Sequence, residues 1–302
     1  MTARTSWGAR AQVAVAVVAG GLLAAGTAVH VMGGDDPSGS TRKDGRPVAA
    51  VDTAVDPGSV QPARGPKIVW SDEFDGGGAV DEGRWSSMTG DRGGWGVGGL
   101  AYYDPANVVQ DGSGTLNITA SRNTRAQKCW YGPCQYRSGR IQTAGRFSLK
   151  YGTFAARIKF PTGKGVFPAF WLQSEHADYG TGRYAEIDIA EVFGAHPRDV
   201  LGAAHQTKKL IDTRKTLDEP LDSGFHTYAV KWTPTAIRWF LDGKPFGELK
   251  RYKGWSFDQP MQIIMNLQIG GDWQGPPNAR TRFPAVMAVD WVRIYENPTE
   301  PR

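Results

Sequence analysis

Apolar and polar side chains alternate through residues 184–191, and this period of two predicts a β-strand. Glu186 and Asp188 would share one face of that strand, whereas strict alternation would turn Glu191 toward the apolar face. Burying an ionised glutamate among apolar side chains costs too much free energy for a resting arrangement. We therefore predict a one-residue β-bulge near residues 189–190, which returns Glu191 to the acidic face.

Three acidic side chains on one strand face repel one another, so the pKa of at least one of them should rise. A raised pKa is what a paired acid and nucleophile need at neutral pH. A solvated acidic edge strand, or a cluster that holds a cation, would produce the same pattern. Glu186, Asp188 and Glu191 are nevertheless the candidate catalytic residues of this chain.

Short strand patterns follow one another along much of the chain, with turn residues between them. The sequence contains 39 Gly and 19 Pro and shows no sustained helical period, which favours an all-β domain. Asp242-Gly243 separates two strand patterns and predicts a tight hairpin. Because the strands are too numerous for one flat sheet, we predict two packed antiparallel sheets. The further predicted strands are 116–120, 145–150, 153–160, 167–173, 201–207, 225–233, 236–241, 244–249, 261–269 and 286–296.

The first residues of the chain have the pattern of a targeting segment. Arg4 and Arg10 precede a mostly apolar run, so we predict a signal peptide or signal anchor at residues 1–33. Cleavage would give a secreted protein, and retention would give a membrane-anchored one with its domain outside the cytoplasm. Residues 34–66 are rich in Gly, Pro, Ser and Asp and predict a disordered linker, followed by one domain at residues 67–298.

The charge pattern argues against a nucleic-acid partner. The formal net charge is only +5, and no run of Lys and Arg stands out as a phosphate-binding surface. We expect no membrane contact beyond the N-terminal segment, if that segment stays uncleaved, and we expect a monomer.

Cys129 and Cys134 are the only cysteines of the chain. Outside the cytoplasm they are expected to form a disulfide that closes a small loop. Free or metal-binding thiols are the alternative, although no neighbouring His or Cys completes a zinc site.

Two tryptophans and one histidine are candidates for a binding site. Trp95 and Trp273 stand in glycine-rich loops, where an exposed indole suits either stacking on a sugar ring or packing of the loop itself. His205 falls on the strand after the three acids, where it would adjoin them in a sheet or serve as an ordinary structural residue.

The sequence Glu-Ile-Asp-Ile-Ala-Glu at residues 186–191 resembles the signature of glycoside hydrolase family 16, in its bulged, laminarinase-like form. The resemblance continues through nearly the whole domain in the same order. The other matching segments are 69–75, 136–143, 151–159, 168–172, 225–232, 257–260, 266–271 and 289–295.

This resemblance implies a fold, an activity and a set of residue roles. The fold would be a β-jelly-roll sandwich of two curved antiparallel sheets, similar to concanavalin A. The activity would be extracellular, retaining endo-hydrolysis of a β-linked polysaccharide, most often a β-1,3-glucan. Glu186 would be the nucleophile, Glu191 the general acid/base, and Asp188 would help to set the charge of Glu186. Catalysis would need no cofactor, whereas a structural calcium is expected at Glu73 and Asp290.

The sequence departs from the family pattern on the glycan-binding side. Residues 96–103 lack the Asn and Glu that the laminarinase pattern has there, and Phe167 replaces a usual Trp. Binding should therefore depend more on stacking, which leaves a mixed-linkage β-glucanase, a galactanase, a transglycosylase and a non-catalytic carbohydrate-binding module as alternatives. The predicted substrate-binding residues are Trp95, Arg157, Trp171, His205 and Trp273.

Overall fold

The computed structural model describes residues 66–175, 177, 184–206 and 209–297. The predicted targeting segment at residues 1–33 and nearly all of the predicted linker at 34–66 lie outside the described residues. Within them, the structure has no helix with the length and apolar character that crossing a bilayer requires.

The described part of the chain is built from β-strands, as the period-two patterns predict. One short 3₁₀ helix, Pro105–Asn107, is its only helical element, and the Asp104 side chain caps it by accepting the Ala106 N–H. The strands are β1 (Ile68–Asp72), β2 (Gly77–Gly78), β3 (Ser86–Ser87), β4 (Ala101–Tyr103), β5 (Val108–Asp111), β6 (Leu116–Arg122), β7 (Lys128–Cys129), β8 (Gly132–Pro133), β9 (Tyr136–Ser138), β10 (Arg140–Gln142), β11 (Gly152–Lys159), β12 (Val166–Ser174), β13 (Ala185–Glu191), β14 (Asp199–Gln206), β15 (Lys209–Thr216), β16 (His226–Trp232), β17 (Ala236–Leu241), β18 (Lys244–Lys250), β19 (Met261–Ile269) and β20 (Ala285–Tyr295).

These strands form two large sheets and one small ribbon. The larger sheet has eleven strands with the main order β18-β17-β16-β11-β20-β6-β5-β2, and the smaller has seven in the order β15-β14-β13-β12-β19-β10-β3. Neighbours in both sheets run antiparallel, apart from the parallel pair of β4 and β9. Strands far apart in sequence, such as β12 and β19, are direct neighbours, so long crossings connect the two layers.

The core lies between the two sheets. On β12, Phe170 and Leu172 are fully buried in it, whereas Trp171 and Gln173 point the other way and are partly exposed. Phe154 on β11, in the larger sheet, packs into the core from the opposite side. We call the surface of the seven-stranded sheet that faces away from this core the site face.

Two local predictions have opposite outcomes. The Asp242-Gly243 hairpin is confirmed, since both residues have positive φ, 49° and 74°, and they connect β17 to β18. The predicted strand at residues 145–150 is wrong. Phe147 N–H bonds back to the Thr143 carbonyl in a turn, and Leu149 makes only an isolated bridge to Met261.

Candidate active site

The acidic strand β13 carries the predicted β-bulge. On the neighbouring strand β12, Trp171 lies opposite Asp188, whereas the adjacent Phe170 lies opposite Ala190. Ile189 is therefore an extra residue with no counterpart on β12. The pairing with β14 shifts at the same place. The prediction of a one-residue bulge at this position is confirmed.

The bulge brings the third acid to the same face as the first two. Glu191 lies opposite Ala169, two residues from the Trp171 that faces Asp188. Residues two apart on a strand share a face, and so do residues directly opposite each other on paired strands. Glu186, Asp188 and Glu191 consequently all lie on the site face.

The bulge is supported from inside the core by the opposite sheet. The indole N–H of Trp239, on β17, donates a 2.8 Å hydrogen bond to the backbone carbonyl of Asp188. Gly202 lies on β14 between the partners of Asp188 and Glu191, and a Cβ atom there would come within 2.4 Å of the Trp239 ring. A glycine at this position therefore lets the indole reach the bulge.

His205 and Tyr184 contact the acidic cluster directly. His205 lies opposite Glu186 on β14, and its Nε2 atom is 2.8 Å from Asp188 Oδ2 and 3.7 Å from Glu186 Oε1. The hydroxyl of Tyr184 donates a hydrogen bond to the Glu186 carboxylate. His205 thus adjoins the acids, as its place in the sequence predicts, whereas Tyr184 carries no sequence signal that separates it from other core tyrosines.

Burial and mutual repulsion set the charges of this cluster. Burial, followed by the negative charge of Asp188, raises the pKa of Glu191 well above its usual value. The same two causes raise the pKa of Glu186 to about 7, against the opposing effects of His205, Tyr184 and Arg140. Three neighbouring groups, on His205, Tyr184 and Arg140, thus favour the ionised form of Glu186, whereas of these only His205 lowers the pKa of Glu191.

His205 provides the positive charge that partly balances these acids. Burial alone lowers the pKa of His205, but the charge and hydrogen bond of Asp188, together with the charges of Glu186 and Glu191, outweigh burial and raise the pKa to about 10. At neutral pH the imidazole is therefore protonated and paired with Asp188. This pair places a fixed cation beside Glu186.

Arg140 is a site residue that the sequence reasoning missed. Its guanidinium carbon, on β10, lies 4.8 Å from the ring centre of Trp95 and 5.0 Å from that of Trp171. The charge of Arg140 also helps to lower the pKa of Glu186. A single arginine in a short strand carries no distinctive pattern, and only the long-range pairing of β10 with β19 brings it to the site face.

The predicted stacking tryptophans differ in how firmly they are packed. Trp171 projects from the site face opposite Asp188, and its indole N–H donates to Asn266 Oδ1 at 2.8 Å. Trp95 donates to the Gly90 carbonyl, and two arginine side chains lie over its ring. These contacts favour the loop-packing interpretation for Trp95.

Trp273 remains a candidate for stacking at the Glu191 end of the site face. Its side chain is 54% exposed and makes an edge contact with Phe167 at 6.3 Å. Phe167 lies two residues before the Ala169 that faces Glu191.

Arg157 does not belong to the site, and its prediction as a substrate-binding residue is wrong. It lies on β11 in the larger sheet, where its buried neighbours Ala156 and Ile158 belong to the core. Arg157 instead forms an ion pair with Asp290 on the adjacent strand β20 and lies over the Phe225 ring.

The residues predicted to bind calcium do not fit a cation site. Asp290 is already paired with Arg157 at 2.5 Å, and Glu73 makes two hydrogen bonds to the Arg293 guanidinium, at 3.0 and 2.7 Å. Those hydrogen bonds hold the pKa of Glu73 below its usual value. In the described part of the chain, the one close group of three or more His, Cys, Asp or Glu ligand atoms is Glu186, Asp188 and His205.

The predicted disulfide between Cys129 and Cys134 is present. It closes the ribbon of β7 and β8, which packs beside the loop that carries Trp95.

Buried carboxyl groups of raised pKa, beside tryptophans on the exposed face of an antiparallel β-sandwich, form an arrangement that glycoside hydrolysis can use. The family model of glycosyl hydrolases family 16 matches residues 101–293, and this chain belongs to that family. The predicted family, the all-β fold and the enzyme class are thereby confirmed.

Similar proteins share both the sequence and the fold. The chain is 35% identical over 249 residues to a β-glucanase of Rhodothermus marinus, covering 76% of this chain and 85% of the relative. The laminarinase catalytic domain of Thermotoga maritima MSB8 superimposes with a TM-score of 0.72 and 33% identity, covering 78% of this chain and 99% of that domain. An endo-β-1,3-glucanase of Pyrococcus furiosus gives a TM-score of 0.71 and 36% identity, covering 76% and 94%.

Proposed function

We propose that this chain is a retaining endo-β-glucanase whose preferred substrate is a β-1,3-glucan. The observation that carries the proposal is the placement of Glu186 and Glu191 on one face, with three groups beside Glu186 that favour its ionised form. The names of the similar proteins, a β-glucanase, a laminarinase and an endo-β-1,3-glucanase, support the substrate class.

In the first step, the Glu186 carboxylate attacks the anomeric carbon while the Glu191 carboxylic acid protonates the departing glycosidic oxygen. The bond to the leaving sugar breaks and a glycosyl ester forms on Glu186. Three groups favour the ionised form of Glu186: the charge of His205, the Tyr184 hydroxyl and the charge of Arg140.

In the second step, Glu191, now a carboxylate, takes a proton from water as the water oxygen attacks the anomeric carbon and releases Glu186. The electrostatics favour this change of role. The negative charge of Glu186 is one of the causes that raise the pKa of Glu191, and that charge is absent while Glu186 is an ester. Glu191 therefore gives up its proton more easily at the stage where it must act as a base.

Asp188 and His205 act through the two glutamates. Asp188 raises the pKa of both glutamates and His205 lowers it, so the pair sets the pH range in which one glutamate is ionised and the other is not.

Trp171, and Trp273 farther along the site face, supply apolar surfaces for sugar rings. Stacking tolerates changes in hydroxyl configuration better than hydrogen-bond recognition does, so we expect activity on several β-glycans.

The proposal is tested with Glu186→Gln and Glu191→Gln, assayed for reducing-sugar release from laminarin, lichenan and a β-galactan, with linkage analysis of the products. Both variants should lose most of their turnover while remaining folded. Glu248→Gln is the control, because Glu248 pairs with Arg238 in the larger sheet. Azide should restore activity to Glu186→Gly with inversion of the product. Near-wild-type turnover by Glu186→Gln would refute the assignment.

The same substrate panel separates the alternatives within the family. Preference for lichenan indicates a mixed-linkage glucanase, preference for the galactan indicates a galactanase, and longer products indicate transglycosylation. Binding of a polymer without any turnover by the wild type would indicate a carbohydrate-binding module instead.

We also propose that the domain acts outside the cytoplasm, either secreted or anchored by residues 1–33. The targeting pattern of the N-terminal sequence and the Cys129–Cys134 disulfide support this location. Mass measurement of the mature protein, together with its recovery in the medium or in the membrane fraction, distinguishes the two forms.

A further inference from the structure

Trp130 is an exposed aromatic side chain whose position is nevertheless fixed. Its side chain is 55% exposed. Its backbone N–H donates to the Asp91 carboxylate at 2.5 Å, and its indole N–H donates to the Gly99 carbonyl at 2.9 Å. An exposed indole held at two points presents an apolar surface in a fixed position to the solvent.

The disulfide loop around Trp130 makes a second hydrogen bond to the segment that contains Gly99, residues 99–100. Cys129 and Cys134 close the loop, and the Tyr131 hydroxyl donates to the Leu100 carbonyl at 2.7 Å. The Tyr131 ring also makes an edge contact with the Trp130 ring, with the ring centres 5.5 Å apart. A ligand that stacks on Trp130 would therefore lose little affinity to ordering of the side chain.

Trp130 lies at the end of the site face where Glu191 is located. A Cβ atom on Gly99 would overlap the Gln268 side chain, so the backbone that bonds Trp130 rests directly on that residue. Gln268 lies opposite Phe167, two residues along β12 from the Ala169 that faces Glu191. Two residues of a strand span about 7 Å. Gln268 is also two strands across the sheet from Glu191, so the indole lies beyond this end of the acidic site.

We propose that Trp130 is an outer stacking surface for the β-glycan chain, beyond the Glu191 end of the site. The inference rests on the proposed function and extends it. A sugar ring presents a flat face of C–H groups that fits a single indole, whereas a protein partner needs a broader apolar patch. Among the described residues, the other exposed tryptophan is Trp273, which contacts Phe167 at this same end.

This surface also gives a role to the glycine loop that departs from the family pattern. Gly99 belongs to the segment 96–103, where the sequence departs from the laminarinase pattern. Its missing side chain lets the loop rest on Gln268, and its carbonyl holds Trp130.

The experiment measures binding of laminarin to the full chain carrying Glu186→Gln, with and without Trp130→Ala. We expect Trp130→Ala to weaken binding by roughly three- to ten-fold, the usual range for one aromatic contact. In the active enzyme the change should appear in KM for long laminarin chains, and it should be absent for oligosaccharides too short to reach the loop.

Three further variants separate stacking from a structural role. Trp130→Phe keeps an aromatic ring without the N–H, so it should restore most of the binding. Cys129→Ser/Cys134→Ser keeps the indole but releases the loop, so it should weaken binding as Trp130→Ala does. Val109→Ala removes another exposed apolar side chain, from β5 in the larger sheet, and should change nothing.

Unchanged binding and unchanged KM in Trp130→Ala would overturn the inference and leave the proposed function intact. A folded Trp130→Phe variant that binds as poorly as Trp130→Ala would also overturn it, because the contact with Gly99 rather than stacking would then be responsible. Failure of the wild type to cleave any glucan of the panel would instead refute the proposed function, on which the inference depends.

Discussion

The substitution Trp239→Phe removes the hydrogen bond from Trp239 to the bulge and changes little else. The indole is 1% exposed and donates to the Asp188 carbonyl from the opposite sheet. Phenylalanine keeps most of the apolar ring but has no N–H, and it vacates the space beside Gly202 where the indole now lies. The substitution therefore withdraws support at the residue pair that sets the position of Glu191 relative to Asp188.

The expected cost follows from two terms. A buried carbonyl left without its donor costs about 1–3 kcal/mol, and partial loss of a buried ring adds about 1 kcal/mol for the cavity. We therefore expect the free energy of unfolding to fall by roughly 2–4 kcal/mol from these terms. Because the bulge positions the proposed acid, kcat should also fall, by about ten-fold for each 1.4 kcal/mol of lost transition-state stabilisation.

Trp232→Phe is the matched control. Trp232 is also fully buried, but its indole N–H donates to the Phe257 carbonyl at 3.0 Å and not to the acidic strand. Urea unfolding should show comparable losses of stability for the two variants. At a temperature where both are folded, only Trp239→Phe should show a reduced kcat and a displaced pH profile. Equal kcat values in the two variants would refute a role for Trp239 in positioning the bulge.

Other predictions concern the pH profile, the bulge and the metal. The kcat/KM value should fall at acid pH as Glu186, with its pKa of about 7, takes up a proton, and at alkaline pH as Glu191 loses one. His205→Asn should move both limits to higher pH, because its charge lowers the pKa of both glutamates; a shift to lower pH would contradict this. Deleting Ala190 should leave a folded protein, because Ile189 would then take the place opposite Phe170 and every other strand pair would be kept; an unfolded product would show that the bulge is required for folding. EDTA should leave the melting temperature unchanged, because an arginine already binds Asp290; a decrease that calcium reverses would contradict the arginine pairing.

The sequence predicts the structure best where a local pattern allows only one physically acceptable conformation. An ionised Glu191 cannot face the core, so the bulge follows from the alternation of eight residues. Asp242-Gly243 likewise determines a hairpin by its backbone preferences alone. The family resemblance adds the jelly-roll arrangement of two curved sheets, which no local pattern contains.

The sequence predicts the structure least well where the pairing of strands that are distant in the chain determines the position of a residue. Arg157 alternates with apolar residues, and a residue that lines the cleft would show the same pattern. Only the placement of β11 in the larger sheet directs Arg157 away from the site. Arg140 reaches the site face through β19, more than a hundred residues later in the chain. At residues 145–150, bonds back to Thr143 replace the predicted strand with a turn.

The position of β20 has a consequence for how the molecule is made. This strand is the shared partner of β1, β6 and β11, so the larger sheet lacks its central member until residues 285–295 have been synthesised. Contacts between such distant segments form slowly, because loop closure must precede any gain from pairing. A chain emerging from the ribosome would therefore remain open for most of its synthesis. A stop codon that removes β20 should leave three unpaired strand edges and an aggregating product.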